Sequence, residues 1–213
     1  MANIRFYFTP GSCTTGIHIL LEELDLVFEA YLINLLNGDQ HKPDYQQLNP
    51  KSTIPTLITP DDLVLTDFLS IAWWLTNRYP TKTTQLDINA QAIQLDWASY
   101  VVNSIHGQGF SRIFTPEKYQ SGHDNSEQIQ QQGRDMVLQQ FSILAAALKN
   151  SALTDSAFSL FDAAFFYVAF WADRSNIALP ENLHSRYQQL LQRPAVQRVL
   201  MEEGYHSTVR RHQ

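Results

Sequence analysis

The chain has 213 residues, 44% of them hydrophobic and 17% charged, with a formal net charge of −6. That is ordinary for a globular protein of one large or two small domains. An acidic chain without a basic stripe makes a poor nucleic-acid binder, and the basic tail Val209-Arg210-Arg211-His212 reads as a solvated end. A single cysteine, Cys13, excludes an internal disulfide, and there is no Cys-x-x-Cys, so the chain depends on no oxidising compartment. No signal peptide is visible, and the longest apolar run, residues 163–172, falls far short of the ~20 residues of a membrane span. The expected location is the cytoplasm, with no membrane partner.

Residues 3–9 read as a strand closed by Thr-Pro-Gly, and residues 14–25 as an amphipathic helix with Ile17, Leu20, Leu21 and Leu24 on one face. Residues 28–33 form a second strand. Residues 34–53 are a polar loop with at most a short helix near residues 45–48. Residues 54–58 and 63–66 make a hairpin around the Pro-Asp-Asp turn, and Asp67 caps a helix that Pro80 stops after Tyr79. The order βαβ, connector, ββα predicts a four-stranded mixed sheet with helices packed on it.

Residues 81–87 are polar and carry no core residue, so the linker is placed there, between a first domain over residues 1–80 and a second over residues 88–213. Beyond residue 80 the pattern is helical throughout: residues 88–113, 124–149, 160–173, 181–192 and 194–203, the last two split by Pro194. The fold class is thus α/β followed by an all-helical bundle.

Three features carry chemistry. Cys13 follows a Pro-Gly turn at a helix start, where N–H groups and the helix dipole stabilise a thiolate and draw its pKa from ~8.5 toward roughly 3.5–7.5. Its other reading is a small buried hydrophobe. Ser12 and Tyr7 are hydroxyls on the same edge, with Tyr7 the better candidate for packing into the sheet. Pro55 opens a strand after Ile54; a cis bond there would turn the Ile54 backbone toward an extended peptide ligand, whereas a trans proline would simply end a loop. Asp67 is a helix cap that can also accept an ammonium group, beside a helix N-terminus suited to a carboxylate, although the neighbouring Phe68 is bulky.

The stretches "YFTPGSCTTGIHILLEEL" (7–24), "YQQLNPKSTIPTLI" (45–58), "LTDFLSIAWWLTNRYP" (65–80), "IHGQGF" (105–110), "FSLFDAAFFYVAFWA" (158–172) and "LQRPAVQRVLMEEG" (191–204) together resemble a glutathione transferase, most closely the bacterial beta class. The resemblance implies a thioredoxin-like domain, a helical domain, a homodimer, and glutathione as co-substrate. It places Cys13 against the glutathione sulfur and His106 as the second catalytic residue. Ser12, Thr53, Ile54, Pro55, Asp67 and Phe68 would form the glutathione site, with the Ile54 backbone on the cysteinyl unit and Asp67 on the γ-glutamyl amine. Ser159 and Asp162 match a helix-capping box. Tyr100, Phe110, Phe114 and Trp171 are the candidate wall for a small electrophile. The family has Glu-Ser or a similar pair where this chain has Asp67-Phe68, so Phe68 lacks the hydroxyl that holds the γ-glutamyl carboxylate.

His106 can also be read as a hydrogen-bonded core residue, and His18 as structural. No histidine has metal-ligand spacing, so no metal is expected. The leading expectation is glutathione conjugation or thiol–disulfide exchange. The alternatives are a scaffold whose glutathione site Phe68 has closed, and an oxidoreductase that needs Cys13 reactive near neutral pH.

Overall fold

The computed structural model describes residues 3–80, 87–122, 125–148 and 158–211. The central strand β1 (Ile4–Phe8) pairs in parallel with β2 (Phe28–Leu32) and antiparallel with β3 (Thr56–Ile58), which pairs antiparallel with β4 (Val64–Leu65). The order β2-β1-β3-β4 is the four-stranded mixed sheet of a thioredoxin-like unit. Period-two alternation divides its faces. Ile4 and Phe6 are buried toward α1 (Thr14–Glu23), where Phe6 meets Phe28 and His18. Tyr7 lies on the other face, stacked on Tyr31 at 4.9 Å, so it packs into the sheet.

The loop after β2 contains two single turns, Leu35–Asn37 and Asp39–His41, and then α2 (Pro43–Leu48). The third strand begins at Thr56, later than the sequence suggested, because Pro55 has no N–H to give to the ladder. The Ile54–Pro55 bond is cis. Asp67 caps α3 (Phe68–Arg78), accepting the N–H groups of Leu69 and Ser70 on Oδ1.

Among the described residues beyond Pro80 there are only helices. Asp87 caps α4 (Ile88–Tyr100). The expected single helix over 88–113 instead widens into i→i+5 turns at Val101–Phe110 and closes with one turn, α5 (Ser111–Phe114). Gly107 and Gly109 make this stretch a weak α-helix former, and such wide turns gather at functional sites. There follow α6 (Ser126–Leu148), α7 (Leu160–Arg174), α8 (Glu181–Leu191), α9 (Pro194–Glu202) and α10 (His206–Arg211), the last unforeseen in the sequence. Most of the 81–87 linker and the outermost residues of the 124–149 helix lie outside the described residues.

Helix α7 is buried from Leu160 to Ala172 and packs across α1. Gly16 permits that approach: a Cβ there would strike the backbone carbonyl of Ala163. The apolar core therefore runs unbroken from the sheet into the helical region. No helix among the described residues is long and apolar enough to cross a membrane.

Candidate active site

A cavity of about 910 Å³ opens between the sheet unit and the helices. One wall comes from the first unit and includes Ser12, Cys13, Leu36, Gln40, Thr53 and Ile54; the other comes from the helices and includes His106, Phe114, Lys118, Trp171 and Arg174. The backbone of the first wall is held by groups far away in sequence. Gly11 donates its N–H to Glu203 (2.8 Å), and its carbonyl accepts from the Trp171 indole (2.7 Å). Its φ of +71° and the Tyr205 hydroxyl beside its Cα leave no room for a side chain. The Thr53 carbonyl accepts from the Tyr45 hydroxyl (2.6 Å) and the Asn49 amide (2.7 Å), which fixes the arm that carries Ile54.

Cys13 stands at the start of α1 as expected, without a side-chain capping bond, but its electrostatics are the reverse of those the sequence suggested. It is only 9% exposed, and burial pushes the thiol up to about 12, with Asp67 adding to the effect. The N–H groups of Cys13 and Thr14 pull the other way and are outweighed. Cys13 is thus a neutral thiol that points its hydrogen at the Ile54 carbonyl, with a sulfur–oxygen distance of 3.8 Å. Ser12 lines the cavity, yet its hydroxyl closes the turn by donating to the Thr9 carbonyl (2.7 Å) and receiving the Thr14 N–H (3.1 Å).

His106 projects from the wide-turn segment, with Nδ1 3.3 Å from the Tyr167 hydroxyl and its ring edge-on to Trp171 at 4.9 Å. Burial lowers its pKa to about 4, so it is neutral at pH 7. Phe114 and Trp171 meet at 5.2 Å and form the aromatic wall. Phe110 does not reach the cavity: it is fully buried behind them. Tyr100 packs on Trp97 and donates to the Gln140 carbonyl, away from the cavity lining.

Asp67 and Phe68 stand at the start of α3, outside the cavity lining. Asp67 is exposed, and its capping bonds use Oδ1 alone. Phe68 is 4% exposed, edge-on to Tyr167 at 5.3 Å and against Gly16, so its ring fills the core where α1, α3 and α7 meet.

The family described as "Glutathione S-transferase, N-terminal domain" matches residues 11–78. Glutathione S-transferase GstB of Escherichia coli (strain K12) is 30% identical over 200 residues, covering 86% of this chain and 90% of that protein. The chain belongs to the glutathione S-transferase family. GstA of Escherichia coli O157:H7 is 26% identical over 211 residues, covering 94% of this chain and 99% of the relative. Among solved structures, a glutathione S-transferase from Xylella fastidiosa superposes with a TM-score of 0.83 at 24% identity, covering 94% of this chain and 98% of its own.

Sequence reasoning missed Glu203, Tyr205, Tyr45 and Asn49, which build the cavity's first wall from behind, and Gln40, Lys118 and Arg174, which line it. The C-terminal "MEEG" entered only as part of the family resemblance and pointed to no role, because Glu203 matters only where the tertiary fold brings it under Gly11. One further cluster brings ligand atoms of His18, Glu22 and Glu202 within 4.8 Å of one another. Protein partners already engage it: Glu22 pairs with Arg198 at 2.5 Å, and His18 Nδ1 with Glu203 at 2.9 Å.

Proposed function

We propose that the protein is an enzyme that conjugates glutathione to small apolar electrophiles. The observation that carries this reading is the cavity itself, with Cys13 and the Ile54 backbone on one wall facing His106, Phe114 and Trp171 on the other. In this reading the Thr53-Ile54-Pro55 arm pairs with the cysteinyl unit of glutathione as an added strand would. The γ-glutamyl carboxylate lies at the α3 N-terminus beside the Phe68 N–H, and Asp67 Oδ2 takes the ammonium group. Gln40 has a buried amide oxygen without a partner among the described residues, which a peptide N–H would satisfy.

With glutathione bound, the Ile54 carbonyl accepts the cysteinyl N–H, and the Cys13 S–H it releases donates to the glutathione sulfur and favours the thiolate form. That thiolate attacks the electrophile held on the aromatic wall: the S–C bond forms, the leaving group departs with its electron pair, and the thiol proton passes to solvent. Neutral His106 orients the electrophile. The burial of Cys13 disfavours thiol–disulfide exchange, which needs an attacking thiolate. The core position of Phe68 and the family membership disfavour the closed scaffold.

The test is calorimetry with glutathione, coupled to turnover of 1-chloro-2,4-dinitrobenzene. Micromolar to sub-millimolar binding with enzymatic product formation is expected, and no binding at millimolar glutathione defeats the reading. We also read the protein as a cytoplasmic homodimer. Trp73, Ile88 and Ile93 on α3 and α4 are 48%, 75% and 49% exposed, apolar side chains that a second copy of the chain would cover. Light scattering should return twice the chain mass.

A further inference from the structure

We infer that the second substrate carries a negative charge: an apolar, aromatic electrophile bearing a carboxylate or sulfonate, held by Arg174 with Lys118. The inference rests on the conjugating function proposed above and specifies which electrophiles that site takes.

The charges in the cavity are one-sided. Its lining holds three charged residues, Glu117, Lys118 and Arg174, all from the helical wall, two of them cations in a chain of net charge −6. Among the described residues neither cation is in a salt bridge, so both charges are open to an anion; the same holds of Lys51, Arg78, Arg112 and Arg134, but these do not line the cavity.

Arg174 is also held in place. It lies one turn beyond Trp171 on α7, and its guanidinium carbon sits 5.0 Å from the centre of the Tyr205 ring and 5.8 Å from that of Phe170. Stacking of this kind fixes the planar group while leaving its N–H fork open to a carboxylate. Lys118 sits in the turn Pro116–Lys118, immediately after the segment that ends at Phe114.

Phe114 is 49% exposed, an apolar ring open to a ligand. An aromatic body on Phe114 and Trp171 therefore has cations within the same cavity for an acidic substituent. Both cations are exposed, so the attraction acts through partly aqueous surroundings and is open to screening by salt. The first wall holds no cation, so it makes no competing claim on the charge.

The experiment compares 1-chloro-2,4-dinitrobenzene with 4-chloro-3,5-dinitrobenzoate, each corrected for its uncatalysed rate with glutathione. The native enzyme is expected to prefer the carboxylate, and added salt to shrink the preference. In the double variant Arg174→Gln/Lys118→Gln the ratio of kcat/KM for benzoate over benzene should fall about tenfold, and Arg174→Lys should restore part of it. An unchanged ratio overturns the inference.

Glutathione carries a glycyl carboxylate of its own, so its Kd is measured in the same variant. A tenfold weakening of glutathione with the electrophile ratio unmoved assigns the cations to glutathione and also overturns the inference. If glutathione binds but neither electrophile is consumed, the conjugation reading fails, and tryptophan quenching by 3,5-dinitrobenzoate against 1,3-dinitrobenzene decides the charge preference alone. Tighter benzoate binding that the double variant loses upholds it; equal affinity removes it.

Discussion

At the scale of single residues, the site turns on how two side chains are buried. Cys13 sits where a helix dipole should make it acidic, and desolvation wins. Its folded pKa of about 12 lies above the ordinary value of 9.0, so the unfolded chain loses its proton first. The sign follows: this group leaves stability untouched below pH 9 and erodes it as pH rises from 9 toward 12. Alkylation of the native protein by iodoacetamide should accelerate with pH through 10 without a plateau, and an inflection near pH 7 would show an activated thiolate. Phe68 is the second case. Its ring belongs to the core, so Phe68→Ser should cost about 3–5 kcal/mol in urea unfolding without tightening glutathione. Tighter glutathione binding in that variant would put the ring in the binding site instead.

At the scale of elements, local sequence signals decided where helices begin. The box at the start of α7 is complete: the Ser159 hydroxyl accepts the Asp162 N–H at 3.1 Å, and the Asp162 carboxylate receives the Ser159 N–H at 3.0 Å. Arg186 from α8 closes on the same carboxylate at 2.8 Å. Ser159→Ala should therefore lower stability by about 1 kcal/mol, read as a fall in urea midpoint with an unchanged m-value. Asp67 caps α3 by the same short-range logic, which is why that helix start was legible; Asp87 caps α4 in the same way, a role its place in the polar linker had not suggested. The wide turns of Val101–Phe110 were not legible, because apolar residues at three- and four-residue steps fit a helix of either pitch.

At the scale of the whole molecule, the two parts are joined by a buried carboxylate. The Glu203 side chain has no exposed surface, and it accepts from Gly11 N–H, Thr15 Oγ1 (2.7 Å) and His18 Nδ1. Removing it strands three polar groups in the core, so Glu203→Ala should cost about 3–5 kcal/mol. It should also raise KM for glutathione, since the Pro10-Gly11 turn is released. A loss of stability with KM unchanged would confine Glu203 to folding.

The sequence by itself determined the order of the strands and of most helices, the Asp67 cap, the cysteine at a helix start, and the membership that its motifs spell out. All of these are set by contacts within a few residues or by side-chain type. The tertiary structure alone decided that Cys13 is neutral, that Phe68 faces the core, that Phe110 backs the aromatic wall while Phe114 forms it, and that Glu203 reaches Gly11. Burial depends on which distant segment covers a side chain, and no spacing along the chain encodes how far from water a sulfur or a carboxylate comes to rest.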